Sequence, residues 1–520
     1  MRFTGVVAAV CVAGGVLGLA QGAAAAPAPQ EVTGTVQRAV VEVGHAEGAG
    51  HEGAGHEGAG RAERDVEVTV LRTADGDVRV PSSDLAGVPT GTTVTARLGA
   101  PVRAVTRAPR ALAESGRDVQ GYRVLSAARE TKAATSTAPR PVLPVLVTVP
   151  GVASDGTTGA TLTSAVAEVS RFYDRQTRGA VTYTALAPTT AAVAASAATA
   201  CDLSTLEKAV RAKVAVPAGT TLLMHTPKVG CAFSGVAWIA SPAARDRALW
   251  VHGTAAPAVV AHEIGHNLGL GHSGSSAACA GGSADDGAAS ACTTVEYGDF
   301  FDVMGANAFA AGSRTLHLGE MSAAQRDRLA GFTGTELVAV DAAATTSTAL
   351  APIGTATGAQ ALKLTSGGVT YYVELRAGGG RDAALYPGGQ YFGTTATGAT
   401  GWAPIPAGVT VRRLDGSTAG AKARLLEPRA AGAPFVLPAG ATFTTADGRT
   451  TITATAVSGT AATVRVAPRP GTAPVPVPAP VPAPTAAPTP APTATPLPRS
   501  RRTVAQAWRA PAGTPSRSTR

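Results

Sequence analysis

Between Val259 and Ser273 the chain reads VVAHEIGHNLGLGHS, and this stretch narrows what the rest of the protein can be. His262 and His266 are spaced one helical turn apart, so a helix would project them from one side with Glu263 on their flank. Val260, Ile264 and Leu268 fall on roughly the opposite side. One face would therefore pack into a core while the other presents two imidazoles to a cleft. Thr254 is placed to cap this helix and Pro257 suits its first turn. Gly269 permits the left-handed turn that ends it, after which His272 can return as a third nitrogen donor. Three neutral imidazoles suit one tetrahedral Zn2+ and leave its fourth position for water. Zinc lowers the pKa of that water towards neutrality and polarises a carbonyl. Glu263 is beside these ligands without being one, as a general base must be. A structural zinc site would be closed by four protein ligands and would not require this glutamate. The HExxH portion arises by chance in long helices; Gly269 and His272 give the pattern its weight.

The rest of the chain supplies context. At 520 residues it can hold two or three cores, and 61 Gly and 37 Pro break it into many short elements. Its opening, MRFTGVVAAVCVAGGVLGLAQGAAAAPAPQ, places Arg2 before an apolar run too short to span a bilayer comfortably. Small residues follow, so residues 1–26 read as a signal peptide cleaved between Ala23 and Ala28, and the product as secreted and extracellular. Cys11 lacks a lipobox and is discounted as a lipid anchor. Cys201, Cys231, Cys279 and Cys292 remain, an even set that argues for disulfides in an exported chain. Of the connectivities open to four cysteines, Cys201–Cys231 with Cys279–Cys292 is the simplest. The net charge of +9 is concentrated in the tail, where Arg499, Arg501, Arg502, Arg509, Arg517 and Arg520 meet no acid. A solvated tail is the plain reading and weak contact with an anionic cell envelope the alternative. No motif supports nucleic-acid binding.

Residues 27–140 read as a pro-segment. GHAEGAGHEGAGHEGAG carries His45, His51 and His56 in a glycine-dense repeat, a linker before it is a weak metal site. RDVEVTVLRT, GDVRV and GTTVTARLG alternate as strands, and maturation is expected between Arg103 and Pro141. This segment holds no cysteine to cap a zinc ion, so latency must work by another route. Residues 141–335 mix helices and strands. VLPVLVTVP, AVTYTALA, TTLLMHT and GVAWIA read as strands, with ALWVHG as an edge. TLTSAVAEVSRFYDRQTRG reads as a helix with Val166, Val169 and Tyr173 on one face and Gly179 as its stop. CDLSTLEKAVRAKV is a second helix, with Ser204 and Glu207 at capping-box spacing. In residues 336–467, ALKLTSG, VTYYVELRAG, GVTVRRL, TTITATAVSG and AATVRVAP suggest a β-sandwich-like module. Residues 468–520 are a Pro/Ala/Thr-rich linker and the basic tail.

HExxHxxGxxH is the metzincin signature, and Met304 in EYGDFFDVMGA stands thirty-two residues beyond His272. The pairing of HEIGHNLGLGHS with EYGDFFDVMG resembles the gametolysin family of secreted metallopeptidases, bacterial members included. CAFSGVAWIA, LWVHG and HLGEMSAAQRDRLAGF extend the resemblance over about residues 142–335, and YYVELR adds a weaker likeness beyond it. The resemblance implies an α+β fold: a twisted mixed sheet with two long helices, above a lower part that holds a methionine turn. Carried over, His262, His266 and His272 bind zinc, Glu263 is the general base, and Met304 is a hydrophobic floor but not a ligand. An extended substrate would add to the edge strand above the cleft, for which GVAWIA and ALWVHG are the candidates. One departure stands out. Some metzincins carry a tyrosine two residues after the methionine, where this chain has Ala306, which leaves most oxyanion stabilisation to zinc. Tyr297 is assigned a core or supporting role.

His225, His252 and His317 lack ligand spacing and read as structural or surface histidines; Trp238 and Trp250 read as core aromatics. Asp299 and Asp302 could offer oxygens to Ca2+, but without EF-hand spacing they read as hydrogen-bond acceptors in a tight loop. The combined expectation is a monomeric secreted zinc endopeptidase, made as a zymogen, acting on proteins or peptides. Two alternatives are a non-catalytic envelope-binding or adhesive protein that retains the fold, and a zinc hydrolase of non-peptide bonds. Glu263 weighs against the first and the methionine turn against the second.

Overall fold

The computed structural model describes residues 29–41, 66–103, 111, 113–128, 138–239, 247–277, 293–306, 308–313, 315–332, 334–394, 400–416, 418–426 and 435–471. The expected signal peptide, the repeat with His45, His51 and His56, Cys279, Cys292 and the basic tail lie outside the described residues.

The first half of the chain builds one eleven-stranded sheet. Its elements are β1 (Gln30–Val41), β2 (Val66–Thr73), β3 (Gly76–Val80), β4 (Thr93–Val102), β5 (Gly116–Ser126), β6 (Arg140–Thr148), α1 (Gly159–Thr177), β7 (Tyr183–Ala185), β8 (Thr189–Ala192), α2 (Ala195–Ala198), α3 (Leu203–Arg211), β9 (Thr221–Thr226), β10 (Gly235–Ile239), β11 (Arg247–His252) and α4 (Pro257–Asn267). The strands run in the order β3-β2-β1-β10-β11-β9-β6-β7, with β4 and β5 continuing from β1 and β8 beside β6. Strands β6, β9 and β11 are parallel, and every residue of β9 and β11 is buried, as strands covered on both faces must be. On one face, Val166, Val169 and Tyr173 of α1 pack with Val260 and Ile264 of α4, and with Leu268 just past its end, over Leu249 and Val251. On the other, Leu206 and Val210 of α3 pack with Met224, Trp238 and Trp250. The Cys201–Cys231 disulfide closes beside that second core.

Several local expectations change. Strand β11 lies between β10 and β9, so ALWVHG is interior and GVAWIA is the outer strand of the pair. The outer edge of β10 is itself covered by β1, a strand the sequence reading does not place. Helix α3 is capped by Asp202, whose carboxylate accepts from Thr205 N at 2.8 Å. Glu207 instead accepts from Trp238 Nε1 and pairs with Arg211, so Ser204 and Glu207 form no capping box. Thr254 does not cap α4; its Oγ1 accepts from Ala256 N in a local turn, and Pro257, which has no N–H to satisfy, opens the helix. In place of two long helices, the described residues hold one of 19 residues, α1, and the 11-residue motif helix α4, ended by Gly269 at φ 89°.

The second half is β12 (Ser273–Ala277), β13 (Thr293–Val295), β14 (Ala308–Phe309), β15 (Leu316–His317), α5 (Ala323–Arg328), β16 (Leu337–Ala339), β17 (Thr346–Leu350), β18 (Ala361–Ser366), β19 (Val369–Arg376), β20 (Gln390–Thr394), β21 (Thr400–Pro404), β22 (Gly408–Asp415), β23 (Lys422–Leu426), β24 (Thr442–Thr444), β25 (Thr450–Val457) and β26 (Ala462–Pro468). A seven-stranded sheet, β13-β12-β23-β22-β19-β18-β16, faces a four-stranded one, β17-β26-β25-β24, across Tyr371, Val411, Ile452 and Val464. Strands β12 and β13, which precede residue 335, are members of the first of these sheets, since β12 pairs in parallel with β23. Asp299 accepts two hydrogen bonds from the buried Arg412 guanidinium of β22, and Asp302 accepts from Met304 N at 2.8 Å and from Ser322 N. Both carboxylates are thus engaged as internal acceptors.

His252 illustrates how a histidine is held neutral. Its Nδ1 lies 2.9 Å from the carbonyl of Phe233, which can only accept, while its Nε2 accepts from Val229 N at 2.7 Å. Burial is the first cause lowering its pKa, and burial lowers those of His225 and His317 as well. A folded-state pKa below the unfolded value means stability present above about pH 6.5 and lost as pH falls through the folded pKa. His252→Asn is expected to be about 1–3 kcal/mol less stable than wild type at about pH 7.5, and the gap to narrow by about pH 5.5, in urea unfolding at both pH values. A gap independent of pH would refute this.

Candidate metal centre

Helix α4 and the turn after it bring His262, His266 and His272 together as sequence spacing suggests. Their Nε2 atoms converge, His262 to His266 at 3.2 Å and His272 to His266 at 3.1 Å. The other ring nitrogen of each is occupied by an acceptor. His262 Nδ1 lies 2.7 Å from the Val303 carbonyl, His266 Nδ1 3.0 Å from the Leu270 carbonyl, and His272 Nδ1 2.9 Å from Glu296 Oε1. Carbonyls and carboxylates accept only, so each Nδ1 carries the proton and each Nε2 presents a lone pair. Three lone pairs aimed at one point repel unless a cation lies between them. Tetrahedral zinc bonded to nitrogen at about 2.0–2.1 Å sets neighbouring nitrogens about 3.3 Å apart, close to the spacing here. The donor set therefore fits Zn2+, and it is the group of metal-ligating side chains found among the described residues.

Glu263 lies one residue from His262 and is fully buried. Its carboxylate sits under the start of β10: a side chain added at Gly235 would place its Cβ 2.0 Å from Glu263 Oε1. All three imidazoles are buried as well, none more than 4% exposed. The open cleft anticipated from helical periodicity is closed in this structure. Strand β10 covers one side, and on another the Tyr297 ring packs 4.2 Å from the His272 ring and 5.7 Å from that of His262.

Met304 is fully buried beneath the helix, its sulfur against the Cα of Gly265, where an added Cβ would lie 2.2 Å away. Gly265, between the two helical histidines, leaves the room that Met304 fills. The turn also holds the histidines directly. Val303 supplies the carbonyl that orients His262, and Met304 O accepts from Ser273 N at 2.8 Å, next to His272. Ala306 donates its N–H to Tyr297 O.

Two supporting residues were not found by sequence reasoning. Glu296 Oε1 accepts from His272 and from Lys422 Nζ, 2.7 Å away on β23. Burial alone would raise the Glu296 pKa, but the hydrogen bond from His272 and the charge of Lys422 hold it at about 2. The carboxylate is thus a permanent anchor for the third imidazole, of the kind that fixes tautomer and ring orientation at metal sites. Nothing in the spacing of Glu296 and Lys422 announces the pairing, because 126 residues separate them. Tyr297, with φ 55°, holds the left-handed backbone that puts its ring beside the histidines.

No protein-family model matches the chain, and no curated protein matches it.

Gly265→Ala tests the packing. Overpacking against Met304 is expected to cost about 1–3 kcal/mol, outweighing the roughly 1 kcal/mol that alanine gains over glycine inside a helix. A urea midpoint equal to or above that of wild type would show that Met304 does not fill this space.

Proposed function

We propose that the protein is a secreted zinc endopeptidase that hydrolyses extracellular proteins or peptides. One observation carries the reading: three histidines whose Nδ1–H groups are spent on fixed acceptors turn three Nε2 lone pairs to one point, one residue from a buried carboxylate. His262, His266 and His272 would hold the metal, with Glu296 and Lys422 fixing His272 and the Val303 carbonyl fixing His262. Bound there, zinc supplies Lewis acidity and a water of near-neutral pKa. Glu263 takes a proton from the attacking water and returns it to the leaving amine, and burial beneath β10 keeps it in a water-poor setting once substrate is in place. The outer edge of β10, rather than β11, is the strand on which an extended peptide would align. The resemblance to gametolysin-type metzincins supports a peptide as the substrate, and the Met304 turn beneath Gly265 accords with it. Secretion, the signal peptide and a removable segment over residues 27–140 belong to the same proposal; among the described residues no helix is long and apolar enough to cross a membrane. The working form is taken as a monomer.

Metal analysis and casein digestion test this directly. Wild type and Glu263→Ala are both expected to bind about one zinc per chain, with activity at least about 100-fold lower in the variant. Equal activity in the two proteins, or a wild type that takes up no zinc, sinks the mechanism. Glu296→Gln, in a chelator competition, is expected to weaken zinc binding about 10–100-fold. An unchanged affinity would mean that Glu296 does not orient His272.

A further inference from the structure

We infer that β1 blocks substrate from the site by occupying, through Arg38–Val41, the same edge of β10 that an extended peptide must use. What that edge serves rests on the zinc-peptidase reading; the strand contact does not. Strand β1 runs antiparallel to β10, with Arg38 opposite Ile239, Ala39 opposite Trp238, Val40 opposite Ala237 and Val41 opposite Val236. On its other edge β10 is paired with β11, so β1 takes the remaining one. A strand edge accepts one partner at a time, because each backbone N–H and C=O is used once. The occupied run ends one residue from Gly235, whose backbone lies against Glu263.

Strand alternation assigns the side chains. Ala39 and Val41 share the core of Val236 and Trp238, on the α3 side of the sheet. Val40 must then face the other way, towards the side on which Ala237 packs with Val260 and Ile264 of α4. That is the side of Glu263 and the three histidines, and Val40 is 4% exposed there. Val40 thus stands where a substrate side chain would project.

The attachment does not depend on chain continuity alone. Gln37 Nε2 donates to the Ile239 carbonyl, Arg79 pairs with Asp202 at 3.0 Å, and the Arg72 guanidinium lies 5.4 Å from the Trp238 ring centre. A cut between Ser126 and Arg140 would let the N-terminal strands leave without forcing them to, so activation should depend on dilution or on their further degradation. This is a latency device that needs no cysteine: an internal strand holds the substrate's place.

The test uses the full chain with Val40→Cys and Ala237→Cys, oxidised to join the strands, cut once between Ser126 and Arg140, and loaded with zinc. Binding is read from the anisotropy of a fluorescein-labelled casein peptide on this chain carrying Glu263→Ala, and hydrolysis on the chain that keeps Glu263. The joined form is expected to bind the peptide at least about 10-fold more weakly than the same chain reduced. The cut chain without the two cysteines should bind like the reduced form with or without reductant. Equal binding by joined and reduced forms, with the link verified by mass, overturns the inference; so does a reduced, cut chain that binds no peptide. If the first pair prevents folding, Val41→Cys with Val236→Cys joins the adjacent position in the register. Binding that switches as expected, without hydrolysis by the zinc-loaded chain, leaves the strand inference standing and refutes the peptidase reading.

Discussion

Arg412 and Arg376 are fully buried guanidiniums, and the carboxylates that meet them tie the turn bearing Met304 to strands β19 and β22. Arg412, on β22, makes two hydrogen bonds to Asp299 and one to Glu374, while Arg376 reaches Glu374 and Asp382. Taking such charges out of water is costly, and removing one partner strands the rest, so the cluster holds only in one arrangement. Asp299 begins the turn that leads to Met304, and its carboxylate also accepts from Phe301 N. Asp302 accepts from Met304 N and Ser322 N. The methionine turn is therefore fixed from the C-terminal strands as much as from the helix above it.

The same dependence extends to the third histidine. His272 O accepts from Ala423 N at 3.0 Å, and Gly269 O accepts from Gly420 N at 2.9 Å. Arg328 Nη2 spans the Gly269 and Thr418 carbonyls, and Lys422 joins His272 through Glu296. Gly271 is needed for this close approach, since a Cβ there would fall 2.1 Å from Gly420 O. A helix presents two imidazoles by its own periodicity, but the third comes from a loop, and a loop keeps a position only when something outside it does the holding. Here β23 does so. The 336–467 strands are thus structurally part of the site, and a truncation at residue 335 would remove Lys422 and the pairing of β12 with β23.

Much of the architecture was legible in sequence because it rests on local periodicity. Strands β6, β9, β10, β18, β19, β22, β25 and β26 follow continuous or alternating apolar runs, and α1 follows its apolar stripe to a left-handed Arg178–Gly179 ending. The errors have local causes too. Thr254 and Ser204 have capping chemistry, but the backbone enters α4 and α3 at Ala256 and Asp202. ALWVHG has the length of an edge strand, yet its interior place depends on pairing with β9, which no run of residues encodes. Strand β1 is not legible because polar residues interrupt its apolar alternation, and its pairing with β10 joins residues about 200 positions apart.

What the sequence determined by itself is the donor set. His262, Glu263 and His266 at helical spacing, Gly269 to break the helix and His272 beyond it specify which side chains can converge, because one turn and one break are short-range geometry. Tertiary structure alone decided the rest. It chose Glu296, Lys422 and Val303 to orient the imidazoles, set Met304 under Gly265, and laid Arg38–Val41 along the outer edge of β10. Each of those joins residues far apart in the chain, and only packing of the whole sheet fixes such distances.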